Sequence, residues 1–531
     1  MSPSTENGVP GLRLADLLAA LSIVADMGFG LPPQEAMRSC LVATAIGRKL
    51  GLPERDVHDA FYTALLMHIG CVSFSHETAA LFGNEVTLTR AVAMTNLGDP
   101  QDYVETLVPE ATRGLGPETR DRLAAAIISH GPTFGRLYDT GSCEVARETA
   151  RRVGLPESTQ RALYEAPESW QGGGAPRGLK GDEIAISSRV ARVACDAAFF
   201  DDIGDVSLAA DAVRERAGSL LDPSIADAFV ANASYLLEEA SAGDPRERIL
   251  EVEPEPVVER HRDELPEVAA AFGDAVDLKS PFFHGHSREV ARLAVAAAEN
   301  MGLDSASVER LRIASLLHDI GRVGISDVVW EKPGPLTAAE WEQVRMHPYH
   351  SERILATSTT LRPISNIAGA HHERLDGSGY HRACKGSEIK PLARILAAAD
   401  TFAAMTRSRP HRAGMDTDQA ADELKGESKA GKLDADAVEA LLAAAGRRRT
   451  TRRAELRPGG LSEREIEVLR LVAQGYSNPE VAERLHISRR TAEHHVQHIY
   501  TKIGISSRPG VALFALEHDL LEDPIAQGRL E

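Results

Sequence analysis

The sequence predicts an all-α protein, and three observations carry that prediction. Aromatic residues make up only 5% of the 531 residues while Ala and Leu abound, a composition that favours helix. Apolar residues recur at helical spacing, as in Val290, Leu293, Ala294 and Ala297. The chain also contains an internal repeat of helical segments. Hydrophobic residues at 43% and charged residues at 26% are ordinary globular values, so wholesale disorder and a collagen-like array are excluded. At roughly 150 residues per domain, the length allows about three to four domains.

Two stretches divide the chain. Residues 243–260, GDPRERILEVEPEPVVER, mix Pro with Glu and offer no apolar periodicity. Residues 446–460, GRRRTTRRAELRPGG, hold six arginines and one glutamate beside Gly and Pro and read as an exposed basic linker. The expected domains are residues 1–243, residues 244–446 with a linker at their start, the basic linker 447–459, and residues 460–531.

The first two domains read as copies of one helical unit. LLMHIGCV at 65–72 aligns with LLHDIGRV at 316–323 at an offset of 251. PRGLKGDEI at 176–184 aligns with HRACKGSEI at 381–389, and SSRVARVAC at 187–195 with LARILAAAD at 392–400, at an offset of 205. These offsets set His286, His318, Asp319, His371, His372 and Asp400 of copy two against Glu35, Met67, His68, Ala166, Pro167 and Cys195 of copy one. The polar constellation is therefore expected in copy two alone, and copy one is expected to regulate, sense a ligand, dimerise or simply pack against copy two. His58, His68, His76 and His130 of copy one follow none of the spacing of copy two and are not expected to form a second site.

Copy two offers His286 opening an amphipathic helix, His318-Asp319 closing another, His347 before Pro348, the pair His371-His372, and Asp400 on a later Ala-rich helix. Imidazole and carboxylate without thiolate suit a borderline metal such as Mn, Fe, Ni or Zn. Five histidines and two aspartates exceed what one ion takes from protein while keeping an open position, so two divalent ions are expected. Two such ions suit hydrolysis of an anionic phosphodiester. His284, His350, His381 and His411 are read as ordinary surface or core residues.

The segments HSREVARLA at 286–294, LLHDIGRVGI at 316–325, MHP at 346–348, HHERLDGSGY at 371–380, ARILAAADTFAAM at 393–405 and RSRPHR at 407–412 resemble the HD-GYP family over about residues 280–445. The resemblance implies a helical, metal-dependent phosphodiesterase acting on cyclic di-GMP or a related cyclic dinucleotide. It implies His286, His318, Asp319, His347, His371, His372 and Asp400 as ligands of two divalent ions, Fe or Mn being favoured, with Asp319 as the bridge. It further implies Asp319 and Arg322 as catalytic residues and Arg322, Tyr380, Arg409 and Arg412 as substrate contacts. Four departures stand out: His381 where the family motif ends in Pro, Arg322 where Lys is usual, Ala403 where an acid is common, and Phe282 where a subset has a third-metal Glu. A guanidinium clamps a phosphate but does not serve as a general acid near neutrality.

In the C-terminal domain, Ser462 with Glu465 forms a capping box, and Ile466, Leu469 and Ala473 share one face before Gly475 stops the helix. Asn478 is expected to cap a second helix with Pro479 at its first position, and Ser488 to cap a third running to about Lys502. LSEREIEVLRLVAQGYSNPEVAERLHISRRTAEHHVQHIYTKIGISSR resembles the LuxR-type DNA-binding domain, a small four-helix unit containing a helix-turn-helix. By that resemblance Arg489, Arg490, Thr491, Glu493, His494 and Gln497 face double-stranded DNA, and Arg490 and Lys502 meet phosphates. Residues 447–531 carry 14 Lys/Arg against 12 Asp/Glu in a chain of net charge −19, which places any nucleic-acid contact at this end.

No apolar run approaches the ~20 residues a membrane-spanning helix needs, and five scattered cysteines form no CxxC pair. A cytoplasmic protein without membrane contact is expected, and a homodimer follows from the paired half-sites that LuxR-type domains bind. The expected activity is a metal-dependent cyclic dinucleotide phosphodiesterase coupled to transcriptional regulation. Its rival is a regulator whose HD-GYP domain binds a nucleotide as effector without hydrolysis.

Overall fold

The computed structural model describes residues 11–410, 412–446 and 458–521. Apart from isolated bridges, their regular structure is helical save for one ribbon, β1 (Leu12–Arg13) antiparallel to β2 (Glu259–Arg260). His411 and the linker residues Arg447–Arg457 lie outside the described residues.

Copy one is framed by α1 (Leu14–Phe29), α2 (Glu35–Lys49), α3 (Glu54–Leu66), α4 (Pro117–Arg152), α5 (Ile186–Ile203) and α6 (Pro245–Val252). Copy two is framed by α7 (Leu265–Asp277), α8 (His286–Asn300), α9 (Ser305–Leu317), α10 (Ala338–Thr357), α11 (Arg362–Ala368) and α12 (Pro391–Thr406). The repeat is reproduced in three dimensions: α2 packs on α3 and α5 as α8 packs on α9 and α12. It extends to polar details. Gln34 at φ 72° and Gly285 at φ 75° turn the chain into α2 and α8 through the same left-handed conformation. Asp26 then accepts a hydrogen bond from Ala36 N at 3.0 Å, as Asp277 does from Ser287 N at 2.8 Å.

Helix α1 buries nearly every side chain because both copies use it. One side meets α2, α3 and α6, and another meets α10 and the 320–324 turn of copy two. A single hydrophobic core consequently runs through both copies, from Leu12 to Leu441. Residues 243–260, expected as a linker, form α6 and β2 and pack on copy one instead. Ile249 supplies the anchor, wholly buried against the core, with Leu250, Val252 and Val258 partly buried beside it.

A buried ionic network crosses the junction. Lys279 Nζ of copy two donates to Glu85 Oε1 of copy one at 2.8 Å and lies 3.7 Å from Asp327 Oδ1, all three being buried. Glu85 also accepts from Asp327 N at 2.8 Å. Burial pushes Asp327 up to about 8, so the network holds fewer negative charges than its formula suggests.

The C-terminal unit comprises α13 (Glu463–Ala473), α14 (Asn478–Arg484), α15 (Arg489–Ile503) and α16 (Arg508–Glu517). The Ser462–Glu465 capping box is present, Gly475 is left-handed at φ 90°, and Ser488 accepts from Thr491 N to start α15. The cap of α14 is Ser477 rather than Asn478. Glu480 accepts from Ser477 N at 2.8 Å, while Asn478 Oδ1 is used by Arg508 at 2.8 Å. The unit's core draws in Val145 of α4 and Leu278 at the end of α7. Glu144 of α4 accepts from Ser506 N at 2.8 Å and Ser506 Oγ at 2.6 Å, so the unit is seated on both copies.

Two stability predictions follow from this packing. Lys279→Met leaves Glu85 buried without its cation and is expected to cost about 3–5 kcal/mol in urea unfolding. Against burial, which raises it, Lys502 and Ser462 hold Glu465 down at about 2. A depressed carboxylate stabilises above its unfolded value, and that contribution disappears as pH falls through the folded value. The C-terminal unit should therefore weaken between about pH 4.5 and about pH 2, and Glu465→Gln should abolish that step in a far-ultraviolet pH titration.

Candidate functional site

The predicted ligands converge, and local geometry explains how. His318 Nδ1 donates to Ser315 O at 2.7 Å, His347 Nδ1 to Val344 O at 2.6 Å and His371 Nδ1 to Ala368 O at 2.6 Å. A carbonyl only accepts, so each ring carries its proton on Nδ1 and leaves a bare lone pair on Nε2. Those lone pairs point at one another and at carboxylates. His347 Nε2 is 3.1 Å from His371 Nε2, and the two are 3.2 and 3.3 Å from Asp319 Oδ1. The other oxygen, Asp319 Oδ2, faces His318 Nε2 at 3.4 Å and His286 Nε2 at 3.7 Å. Asp400 Oδ1 lies 3.1 Å from His286 Nε2 and its Oδ2 3.7 Å from His372 Nδ1.

Burial pushes the His286, His347 and His372 imidazoles well below their ordinary range and His371 to about 3, so these rings are neutral. Burial raises Asp400, but the hydrogen bond with His286 and the neighbouring His318 and His372 rings outweigh it and hold the carboxyl well below the usual range. Neutral lone pairs packed against one another and against carboxylates repel unless a cation lies between them. The residues present fit divalent metal. Among the described residues the donors form three overlapping groups: His347, His371 and His372; His286, His318 and Asp400; His318, Asp319 and His371.

Copy one has no such cluster among its described residues. At the aligned positions the Cys195 thiol contacts the Met67 thioether, and Ala166 joins the core. Glu35, where His286 stands in copy two, is pushed up to about 8 by burial and is protonated. The copy-one histidines are scattered: His58 lies beside Asp59 at 3.6 Å, His68 stacks on Phe29, and His76 reaches Glu331 at 2.6 Å.

Around these donors, Arg322 is buried and ion-paired with Asp319 Oδ2, and its guanidinium carbon sits 3.5 Å from the centre of the Phe283 ring. Arg409 sits 4.0 Å from the same ring. Burial lowers Arg322 to about 10, which leaves it charged at neutral pH. Tyr380 stacks on His372 with ring centres 4.3 Å apart and walls the site. Arg412, expected at the substrate, spends its guanidinium on Ala404 O at 2.7 Å and Met405 O at 3.1 Å, the last carbonyls of α12. Of the departing positions, Ala403 is buried in the core and His381 lies 4.0 Å from Glu373, away from the ligands.

Three organising residues escaped the sequence reading. Asp277 holds the start of α8, and Glu373, next to the histidine pair, accepts from Arg382 N at 3.1 Å and Cys384 N at 2.9 Å to shape the loop after Tyr380. Copy one carries the same device, Glu168 accepting from Arg177 N and Leu179 N, and that match at the offset of 205 was the available signal. His284, read as ordinary, donates from Nδ1 to Ala473 O of α13 at 2.6 Å and links the metal-site segment to the C-terminal unit.

On α15, Arg489, Arg490, Thr491, His494 and Gln497 are exposed on the surface, whereas Glu493 is half-buried and ion-paired with Arg489 at 2.8 Å. Lys502 is bound within its own domain, to Glu465 at 2.6 Å.

This helical scaffold with its His/Asp donors is the arrangement of a metal-dependent phosphohydrolase. Residues 271–437 match the HD domain family, and residues 460–515 match the bacterial regulatory proteins of the luxR family. A 3'3'-cGAMP-specific phosphodiesterase of Vibrio cholerae is 32% identical over 413 residues, 77% of this chain and 89% of that protein. A cyclic di-GMP phosphodiesterase of Thermotoga maritima is 37% identical over 197 residues, 36% of this chain and 53% of that protein. The crystal structure of a V. cholerae cyclic GMP-AMP-specific phosphodiesterase superposes with a TM-score of 0.57 at 28% identity, covering 82% of this chain and 98% of that one. The chain belongs to the HD-GYP phosphodiesterase family, with a LuxR-type domain joined at its C-terminal end. Among the described residues, no helix is long and apolar enough to cross a membrane.

Because burial keeps the ligand rings neutral, metal loading should persist to lower pH than free histidine permits. Metal content measured by plasma emission is expected to hold from about pH 8 down to about pH 5.5, below the ~6.5 at which exposed histidine protonates.

Proposed function

We propose that the protein hydrolyses a cyclic dinucleotide, cyclic di-GMP or a cyclic GMP-AMP, and that its DNA-binding domain couples this site to transcription. The observation that carries the reading is the set of neutral Nε2 lone pairs and carboxylates closed around a place for cations, with two guanidiniums beside it. The relatives' named substrates supply the substrate class. We read the donors as holding two divalent ions, Fe or Mn by ligand type, in one group of His286, His318 and Asp400 and another of His347, His371 and His372. Asp319 turns one oxygen to each group and is read as the bridge.

When bound, such ions neutralise phosphoryl oxygens and provide a nucleophile at neutral pH. The protein's own groups bind and orient. Arg322 and Arg409 offer charge to the phosphate, and Arg322 keeps its proton, so it clamps and does not protonate the leaving group. Tyr380 offers a ring face next to His372, and Arg412 acts by fixing the end of α12 under Arg409. On DNA, Arg490, Thr491, His494 and Gln497 would read the major groove. Arg489 and Glu493 would do so as an ion pair, and Lys502 would meet a phosphate by exchanging its Glu465 partner. DNA of paired half-sites implies a homodimer.

The test is product formation from cyclic di-GMP and 3'3'-cGAMP by the Mn- or Fe-loaded chain. Asp319→Ala is expected to abolish it together with metal binding. Metal uptake without turnover of either nucleotide would leave an effector-binding regulator. Gln497→Ala with His494→Ala should weaken specific DNA binding by about 1–3 kcal/mol per lost base contact in a mobility-shift titration, without altering hydrolysis.

A further inference from the structure

Phe283 stands beside the metal donors without being one of them. It closes the short turn Pro281–Phe283 just before His286 and is buried, with its ring 6.2 Å from the His286 ring and 5.9 Å from Trp330. Two guanidiniums converge on it, Arg322 at 3.5 Å and Arg409 at 4.0 Å from its centre. Like charges do not gather in a buried place unaided. The negative π cloud of the ring gives both a common partner that takes none of their hydrogen-bonding capacity. Arg322 Nη1 and Arg409 Nη1 are both buried and make no hydrogen bond among the described residues. Arg322 is paired with Asp319 through its other nitrogen, so these two Nη1 groups next to the metal donors are left as a receptor for anionic oxygens.

The residues come from separate parts of copy two. Arg322 follows the His318-Asp319 pair, Arg409 follows α12, and Phe283 precedes α8. Ser280 caps the turn at Phe282 N, and Arg407 Nη1 donates to His284 O at 2.8 Å, tying the Phe283 turn to the segment that carries Arg409.

We propose that Phe283 is a positioning residue that holds Arg322 and Arg409 as one paired clamp for the phosphate of the substrate. The proposal rests on the phosphodiesterase reading for the identity of that substrate, but the clamp itself is a phosphate receptor and is testable apart from turnover.

The experiment compares the full metal-loaded chain with Phe283→Leu, which keeps the apolar volume and loses the π face, and Phe283→Tyr, which keeps both. Three quantities are read: KM and kcat for the cyclic dinucleotide, the Kd for inorganic phosphate by calorimetry, and metal content. Phe283→Leu is expected to raise KM and the phosphate Kd about tenfold, equivalent to about 1.4 kcal/mol. Its kcat should stay within about twofold, since a loss of binding shared by ground and transition states moves KM alone. Metal content should not change, and Phe283→Tyr should restore both affinities. Phe283→Met provides the same comparison if the Leu variant folds poorly.

Unchanged KM and phosphate Kd at unchanged metal content would overturn the proposal. So would loss of metal in Phe283→Leu, because the ring would then serve His286 and not the arginines. If the wild-type chain turns over neither dinucleotide, yet phosphate affinity falls in Phe283→Leu and returns in Phe283→Tyr, the clamp stands and the substrate reading falls.

Discussion

The carbonyl that His318, His347 and His371 each find three residues upstream governs the architecture of the site. Ser315 O, Val344 O and Ala368 O take the Nδ1 protons of His318, His347 and His371, and that single choice turns three rings into donors with a fixed direction. A helix end supplies such carbonyls freely, because its last turn lacks internal partners. His318 and His371 use this directly, standing just after α9 and α11. These three donors are therefore oriented by backbone, and the surrounding core has only to bring the helix ends together.

Bringing them together is the work of the duplicated framework. Asp277 fastens the start of α8 and Glu373 the loop beyond the histidine pair, and both devices survive in copy one as Asp26 and Glu168, where no ligands remain. Framework and chemistry are thus separable in this fold. Copy one kept the polar fasteners and filled the donor positions with Met67, Cys195, Ala166 and a protonated Glu35. What it retained is a packing role: α1 sits in the common core, and Glu85 compensates Lys279 of copy two.

The C-terminal unit leans on the same region. Val145 and Leu278 enter its core, Glu144 binds Ser506 and Ser507, and His284, two residues before the donor His286, reaches Ala473. Its helix α15 keeps its outer residues exposed. A nucleotide that shifted the Pro281–His286 turn would alter contacts with α13, since Pro281 also lies against Gly475. The two functions of the chain therefore share a physical boundary.

By itself the sequence determined the helical class, the duplication, the seven donor positions and the caps of α13 and α15, because these depend on residue identity and on spacings within a few helical turns. One local reading failed where a side chain found a distant partner: Asn478 serves Arg508 instead of capping α14. Tertiary structure alone decided that residues 245–252 belong to copy one, that the copies share one core, that Asp319 turns an oxygen to each donor group, and that Phe283 lies between two arginines. Those outcomes rest on contacts between residues tens to hundreds of positions apart. They are set by shape and by the cost of burying charge, and neither quantity is written in any local stretch of the chain.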